Sequence, residues 1–267
     1  RDAEIMKKNE RHQRILLELK ARPTVRISEL AEEFGVTTET VRRDVDEMSR
    51  KGLVDRMYGG AAVNPLGSEP TFDVREGTFR QERTRIAKHA LSLVKFDEVL
   101  MVDAGSTTTA FAAQLAASVP DNVPNKLTII TNSISVARAL GASKSIRTVL
   151  CPGDYTSHDA SVSGPATLAF LRQFNANTAI IGSGGVTIEG VTDVSPGGCW
   201  VKRTMMERAD RLVLLADRRK FGNSQAEVVC SLDQIDDLVT DEEPSQDFLD
   251  SFYTANVKVS IASGSAV

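Results

Sequence analysis

The residues able to do chemistry in this chain cluster at the ends of short apolar runs. The run EVLMVD (98–103) ends in Asp103 and leads into Ala104-Gly105-Ser106-Thr107-Thr108-Thr109, followed by the helical stretch AFAAQLAA. A glycine and four hydroxyls at a helix start offer backbone N–H groups, side-chain donors and the positive end of the helix dipole, which together suit an anion such as phosphate. The pattern recurs. Thr131-Asn132-Ser133 follows KLTIIT, Pro152-Gly153-Asp154 follows IRTVLC, Gly182-Ser183-Gly184-Gly185 follows NTAIIG, and Asp217-Arg218-Arg219-Lys220-Phe221-Gly222 follows RLVLLA. Any one of these also reads as a capped helix start or a tight turn. Five of them point to a cleft for a polar ligand, because open α/β sheets bind ligands outside the carboxyl ends of their strands. Lys202 is a candidate cation for the same cleft, although a lysine on an amphipathic helix is also a common solvated residue.

Other chemistries find no support. In Gly182-Ser183-Gly184-Gly185-Val186-Thr187 a threonine stands where the GxGxxG dinucleotide fingerprint needs glycine, and no GxxxxGK[ST] occurs. His12, His89 and His158 have no ligand-spaced neighbour, and Cys151, Cys199 and Cys230, 48 and 31 residues apart, fit no metal or redox spacing. No cofactor and no metal is expected. The unpaired cysteines fit a reduced, cytoplasmic setting, and no apolar stretch is long enough to span a membrane.

The elements that must position these residues follow from periodicity. From residue 97 onward EVLMVD, KLTIIT, IRTVLC, NTAIIG, RLVLLA and DDLVT (236–240) alternate with helical stretches, which predicts a mostly parallel, helix-covered sheet. NVKVSIA (256–262) reads as an added edge strand. Upstream the pattern is different. Ile15, Leu16 and Leu19 form one apolar stripe, Ile27, Leu30, Ala31 and Phe34 a second, and Val41, Val45 and Met48 a third, with Gly35 as a turn and Thr37 as an N-cap. The third helix presents Thr38, Glu39, Thr40, Arg42 and Arg43 on its outer face, as a helix-turn-helix needs to meet phosphates and base edges. A three-helix bundle with solvated charges fits the same spacing. Leu53–Val63 with Gly59-Gly60 reads as a β-hairpin wing, and Pro65, Gly67, Ser68 and Pro70 as a linker before a helix from about Arg75 to Val94. The domains are then 1–62, a linker over 63–74, and 75–260.

The 267 residues are 41% hydrophobic and 25% charged, which excludes a disordered chain. The net charge of −4 carries no basic signature, but residues 1–60 hold 13 Lys or Arg against 12 Asp or Glu, while the rest is net acidic.

Over nearly its whole length the sequence resembles the DeoR family of bacterial transcriptional regulators. The N-terminal resemblance lies in Arg11, Ile27-Ser28-Glu29-Leu30-Ala31, Val36-Thr37, Thr40-Val41-Arg42-Arg43-Asp44, Gly52, Arg56 and Tyr58-Gly59-Gly60-Ala61. The C-terminal resemblance lies in Asp103–Thr108, Thr131-Asn132-Ser133, Gly153, Gly164, Gly182, Gly190–Asp193, Val201-Lys202-Arg203, Leu215–Asp217, Lys220-Phe221-Gly222 and Thr240-Asp241. Tyr58 stands where the family usually has histidine, and Asp154 where it commonly has glycine. The resemblance implies a winged helix-turn-helix domain and a Rossmann-like α/β domain related to ribose-5-phosphate isomerase. It also implies a repressor, usually of a sugar-catabolic operon, released by a phosphorylated sugar or related metabolite. Thr38, Thr40, Arg42 and Arg43 would contact double-stranded operator DNA, with Arg56 and Tyr58 in the wing. Ser106, Thr107 and Thr108, with Gly105, would hold the effector's anionic group; Asp103, Asn132, Asp193 and Lys202 would face its hydroxyl or carbonyl end, and Asp217 with Lys220 would close the rim. Thr131, Gly153, Gly182 and Gly184 complete the expected pocket.

A homodimer or homotetramer is expected, so that two recognition helices meet a repeated half-site. A sulfonated sugar suits a hydroxyl-lined helix start as well as a phosphorylated one. The alternatives are a sugar-phosphate isomerase-like enzyme with Asp103 or Asp193 as base beside Lys202, and a protein-binding adaptor built on the helical bundle.

Overall fold

Three apolar stripes build the first unit, Arg1–Ser68, of a computed structural model that describes residues 6–22, 24–50, 54–57, 59–62, 69–120 and 127–262. Helix α1 (Lys8–Ala21) buries Ile15 and Leu19, α2 (Ile27–Phe34) buries Ile27, Leu30, Ala31 and Phe34, and α3 (Thr38–Arg50) buries Val41, Val45 and Met48. These side chains form one core. α2 ends where Gly35 turns left-handed at φ 63°, with the Val36 N–H reaching the Ala31 carbonyl at 3.0 Å and the Gly35 N–H reaching that of Glu32 at 3.3 Å. This pair of bonds satisfies the last carbonyls of α2 and reverses the chain. Two residues later the Thr37 hydroxyl accepts from the Thr40 N–H at 3.2 Å and caps α3. The turn of the helix-turn-helix is therefore fixed at both ends by local hydrogen bonds.

The wing is a three-stranded antiparallel sheet of β1 (Thr24–Arg26), β2 (Asp55–Met57) and β3 (Gly60–Ala62), ordered β1-β3-β2. The hairpin β2-β3 matches the reading of its glycines; β1 is three residues long, too short for alternation to announce it. Gly60 has to be glycine because a Cβ there would stand 2.3 Å from the Val25 carbonyl oxygen. Across the helices, buried Arg11 forks onto Asp44, with Nε donating to Oδ2 at 2.6 Å and Nη2 to Oδ1 at 3.2 Å, while Nη1 donates to the Met6 carbonyl at 2.7 Å. This pair ties α1 to α3.

The second unit, Glu69–Val267, begins with α4 (Phe72–Gly77) and α5 (Arg80–Ala90) and continues through β4 (Val99–Val102), α6 (Ser106–Ser118), β5 (Leu127–Thr131), α7 (Ile134–Leu140) and β6 (Ile146–Leu150). Then follow the hairpin β7 (Asp154–Thr156) and β8 (Ser161–Ser163), α8 (Pro165–Leu171), β9 (Ala176–Ile181), β10 (Gly185–Val186), β11 (Gly190–Asp193) and α9 (Pro196–Glu207). The unit closes with β12 (Ala209–Leu215), β13 (Glu227–Ser231), β14 (Asp237–Thr240), α10 (Gln246–Thr254) and β15 (Lys258–Ile261). The seven runs read as strands from the sequence become one seven-stranded sheet, ordered β15-β14-β12-β9-β4-β5-β6, with every neighbouring pair parallel. Its two faces bury separate cores. Met101, Ile130, Ile181, Leu214 and Phe252 belong to one, and Leu100, Ile129, Ile180, Leu215 and Phe111 to the other. Burial on both faces is why these strands read as continuous apolar runs.

Strands β4, β5 and β6 run outward in one direction and β9, β12, β14 and β15 in the other, so the order reverses between β4 and β9. At such a switch the connections leave in opposite directions and open a crevice at the carboxyl ends.

Three features differ from the sequence reading. The antiparallel β10-β11-β13 and β7-β8 sheets are not among the strands expected from the sequence, because strands of two to five residues carry little periodicity. The helix expected from Arg75 to Val94 is broken at Phe79, whose φ is 52°. Residues 69–74, read as linker, belong to the second unit: Phe72 is buried, and its N–H donates to the His158 carbonyl at 2.7 Å.

Replacing Asp44 with Ala leaves the Arg11 guanidinium buried without its counter-charge. Urea denaturation should show the first unit destabilised by about 3–5 kcal/mol; a loss under about 1 kcal/mol would mean the pair is solvated.

Candidate functional site

The crevice at the β4/β9 switch is an open, polar cleft lined by charged, hydroxyl and amide side chains. Four segments that follow strands converge on it: Asp103–Thr107 after β4, Asn132 after β5, Gly182-Ser183 after β9, and Asp193 at the end of β11. α9 adds Lys202, and its N-terminus adds Ser195 and Gly198.

At the base of the cleft the Lys202 ammonium lies 2.7 Å from Asp103 Oδ2 and 3.0 Å from Asp193 Oδ2, with all three side chains buried. Burial works against the charge of Lys202, but the two carboxylates more than reverse it and hold its pKa above the ordinary lysine value. Burial raises Asp103 above the usual carboxylate range, with Lys202 pulling the other way. Burial also opposes the charge of Asp193, but there the field and hydrogen bond of Lys202 win and its pKa is lowered. One cation thus serves two carboxylates of unequal proton affinity.

Two helix N-termini face the same space. Gly105 and Ser195 are the N-cap residues of α6 and α9. Ser195 caps its own helix by accepting from the Gly198 N–H at 3.2 Å, whereas Gly105 has no side chain to offer. The first-turn N–H groups of α6, at Ser106 and Thr107, have no intrahelical acceptors and border the cleft. Two further polar atoms are buried without a hydrogen-bond partner among the described residues. They are Asn132 Oδ1, whose amide is oriented by Nδ2 donating to the Val162 carbonyl at 3.2 Å, and Ser183 Oγ. Native proteins seldom leave buried polar atoms unpaired, and here both belong to residues lining one cleft.

Of the fourteen effector residues expected from the sequence, Asp103, Gly105, Ser106, Thr107, Asn132, Gly182, Asp193, Lys202 and Lys220 line the cleft. Five do not. The Thr108 hydroxyl donates to the Gly105 carbonyl at 3.0 Å, and that of Thr131 accepts from the Ser133 N–H at 3.0 Å, so both serve the backbone. Gly153 is a close-approach residue, since a Cβ there would stand 2.1 Å from Thr167 Oγ1. The Gly184 N–H donates to the Thr192 carbonyl at 3.0 Å beside the β10-β11 ladder. Asp217 is buried with its oxygens held by Arg219 at 2.8 and 2.7 Å; burial opposes its charge, but Arg219 outweighs that and lowers its pKa.

Sequence reasoning missed Glu69, Arg75, Asp159, Ser161, Ser195 and Gly198 as cleft residues. Ser195-Pro196-Gly197-Gly198 carried a readable signal, a capping serine followed by proline at a helix start. The others had none, because 69–75 and the β7-β8 turn reach the cleft only through tertiary packing.

In the first unit Thr38, Arg42 and Arg43 are exposed on α3. Glu39 bridges both arginines, to Arg42 at 3.1 Å and Arg43 at 3.3 Å, as exposed surface ion pairs of small energetic weight. Thr40 is half-buried, with its hydroxyl 2.9 Å from that of Thr37. Arg56 lies on β2; its side chain, and the whole of Tyr58, fall outside the described residues. Among the described residues no cluster of His, Cys, Asp and Glu could hold a metal ion, and no helix is long and apolar enough to cross a membrane. Cys151, Cys199 and Cys230 are free and buried, with burial pushing each thiol up to about 12, so none is a reactive thiolate.

A winged helix-turn-helix in one unit and a polar cleft at the switch point of a parallel sheet in the other define the class of ligand-responsive DNA-binding regulators. Residues 11–65 match the model of the DeoR-like helix-turn-helix domain and residues 78–242 that of the DeoR C terminal sensor domain. The chain belongs to the DeoR family of transcriptional regulators. It is 31% identical over 240 residues to the glycerol-3-phosphate regulon repressor of Escherichia coli (strain K12), covering 90% of this chain and 93% of that one. It is 30% identical over 232 residues to the HTH-type transcriptional regulator IolR of Bacillus subtilis (strain 168), covering 86% and 88%. Among solved structures, ribose 5 phosphate isomerase A from Neisseria gonorrhoeae is similar at a TM-score of 0.40 and 19% identity, over 55% of this chain and 56% of that one, too loose a likeness to bear on function.

Lys202→Met removes the ammonium that most strongly opposes the burial of Asp103 and Asp193, so burial, the largest influence on each, outweighs the lesser pull of the Ala104 and Val194 N–H groups and Lys220 and raises both. A carboxylate whose folded-state pKa is raised loses stability as pH climbs above its unfolded value. Urea denaturation of the variant against wild type should therefore show a deficit of about 3–5 kcal/mol near pH 8 that shrinks toward about pH 5. A deficit independent of pH would mean the carboxylates are not the cause.

Proposed function

We propose that this protein represses a carbohydrate-catabolic operon and leaves its operator when a phosphorylated or sulfonated sugar, or a related small metabolite, enters the cleft. The observation that carries this reading is the convergence of unpartnered buried polar atoms, at Asn132 and Ser183, with the free first turn of α6. A tetrahedral oxyanion suits the N–H groups and hydroxyls of Ser106 and Thr107, and hydroxyls or a carbonyl suit Asn132 and the Asp103–Lys202–Asp193 cluster. The relative named for a glycerol-3-phosphate regulon supports a small phosphorylated ligand. The ligand needs no cofactor, because it acts by binding. It must favour one arrangement of the protein over another, since equal affinity for both would shift nothing. The protein acts in the cytoplasm as a dimer or tetramer, so that two α3 helices reach successive half-sites. The buried Asp103–Lys202 pair is also equipment for moving a proton beside a carbonyl, and turnover of a sugar phosphate by the full chain would establish an isomerase instead.

A thermal-shift screen of the full chain against sugars, sugar phosphates, sugar sulfonates and glycerol phosphate tests the ligand class. A ligand at 100 times its Kd should stabilise by roughly 2.7 kcal/mol. The shift should vanish in Thr107→Ala, and the same ligand should release operator DNA. No stabilising ligand in the panel would remove the sugar-derivative reading.

If Arg42 and Arg43 each neutralise a phosphate, replacing either with Ala should lower the slope of log K against log salt for operator binding by about 1. An unchanged slope would take them off the DNA.

A further inference from the structure

Glu69, the first residue of the second unit, extends its carboxylate into the cleft, where it meets the two cations near the mouth. Lys220 Nζ lies 2.5 Å from Glu69 Oε1, and Arg75 Nη1 lies 3.1 Å from Oε2. The Glu69 side chain is 8% exposed. Arg75 also reaches Asp159 at 3.0 Å, which leaves Lys220 with Glu69 as its one ion partner among the described residues. The third cation of the lining, Lys202, is taken up by Asp103 and Asp193. The cleft is thus lined by Arg75, Lys202 and Lys220 against Glu69, Asp103, Asp159 and Asp193, an excess of carboxylate in a site whose helix starts favour anions.

The segment carrying Glu69 is clamped downstream and leads directly to the other unit upstream. Phe72 is buried and bonded to His158, the buried Arg83 donates to the Arg75 and Thr78 carbonyls, and the Arg219 guanidinium lies 3.4 Å from the centre of the Phe79 ring. Ser68, the preceding residue, ends the DNA-binding unit.

We propose that Glu69 is a resident carboxylate filling an anion subsite between Arg75 and Lys220, and that the ligand's anionic group binds by displacing it. Displacement releases the chain upstream of the Phe72 anchor, where the DNA-binding unit is tethered, and so couples occupancy of the cleft to the operator. The inference rests on the cleft being an anion site, and Arg75 and Lys220 become the cations that recognise the anion. A competitor that occupies the subsite most of the time lowers apparent affinity by the fraction of time the subsite is free.

Isothermal titration of the full chain with inorganic phosphate tests this directly. Glu69→Gln, which keeps the shape and removes the charge, should bind phosphate roughly tenfold more tightly than wild type. It should also bind operator more weakly with no ligand present, because the chain upstream of Phe72 is already released. Equal phosphate affinity in the two proteins overturns the displacement, and weaker binding by the variant overturns it by making Glu69 a recognition group. Phosphate binding to neither overturns the anion-site reading itself. Tighter phosphate binding with unchanged operator affinity overturns the coupling. If Glu69→Gln fails to fold, Glu69→Asp, whose shorter side chain retracts the charge, carries the same comparisons with an intermediate gain expected.

Discussion

The sensor unit is organised around one buried cation. Lys202 comes from α9, Asp103 from the end of β4 and Asp193 from the end of β11, and their contacts of 2.7 and 3.0 Å leave little freedom in how these elements pack. Charges buried away from water are tolerated only with close partners, so the helix, the sheet and the antiparallel extension must all arrive together. The same constraint sets the character of the cleft. A lysine already satisfied on two sides fixes polarity and geometry at the base of the cleft. The raised pKa of Asp103 beside the lowered pKa of Asp193 marks the two carboxylates as unequal, although one ammonium serves both.

Around that centre the cleft is built in layers. The N-terminus of α6 supplies N–H groups, and Asn132 and Ser183 supply polar atoms with no protein partner among the described residues. The mouth is lined by the segment that begins at Glu69 and by Lys220 on the turn after β12. Asp217 and Arg83, buried behind these, hold Arg219 and the backbone at Arg75 and Thr78 rather than a ligand. Burial lowers Arg83 to about 10, against the pull of Asp217.

The two units use opposite physics. In the first, function needs exposure: α3 buries Val41, Val45 and Met48 and turns Thr38, Arg42 and Arg43 to solvent, while the buried Arg11–Asp44 pair fixes its placement against α1. In the second, function needs burial, because hydrogen bonds and ion pairs discriminate between ligands only where water does not compete. The first sixty residues are nearly neutral overall, yet Arg42 and Arg43 stand together on the exposed face of α3, a local concentration of positive charge that a bulk average hides.

Periodicity and local chemistry determined the helix-turn-helix, the glycine hairpin, the seven strands of the parallel sheet and the small polar residues at their ends. Each depends on residues close in sequence, through spacing, capping or φ preference. Eight of the expected cleft residues were readable for that reason, at carboxyl ends of strands or on a helix that follows, whereas Asp193 ends the short β11 and was expected only from the family resemblance. Tertiary structure alone decided which polar groups turn inward. Thr108, Thr131 and Asp217 stand at the same kinds of position, yet they bond to groups two or three residues away, in turns whose closure no spacing announces. It also brought Glu69, Arg75 and Asp159 into the cleft, from a segment that reads as a linker and a hairpin of three-residue strands. Ion pairs between residues 69 and 220, or 75 and 159, have no period and no motif, because the force that forms them acts through space and leaves no regular trace along the chain.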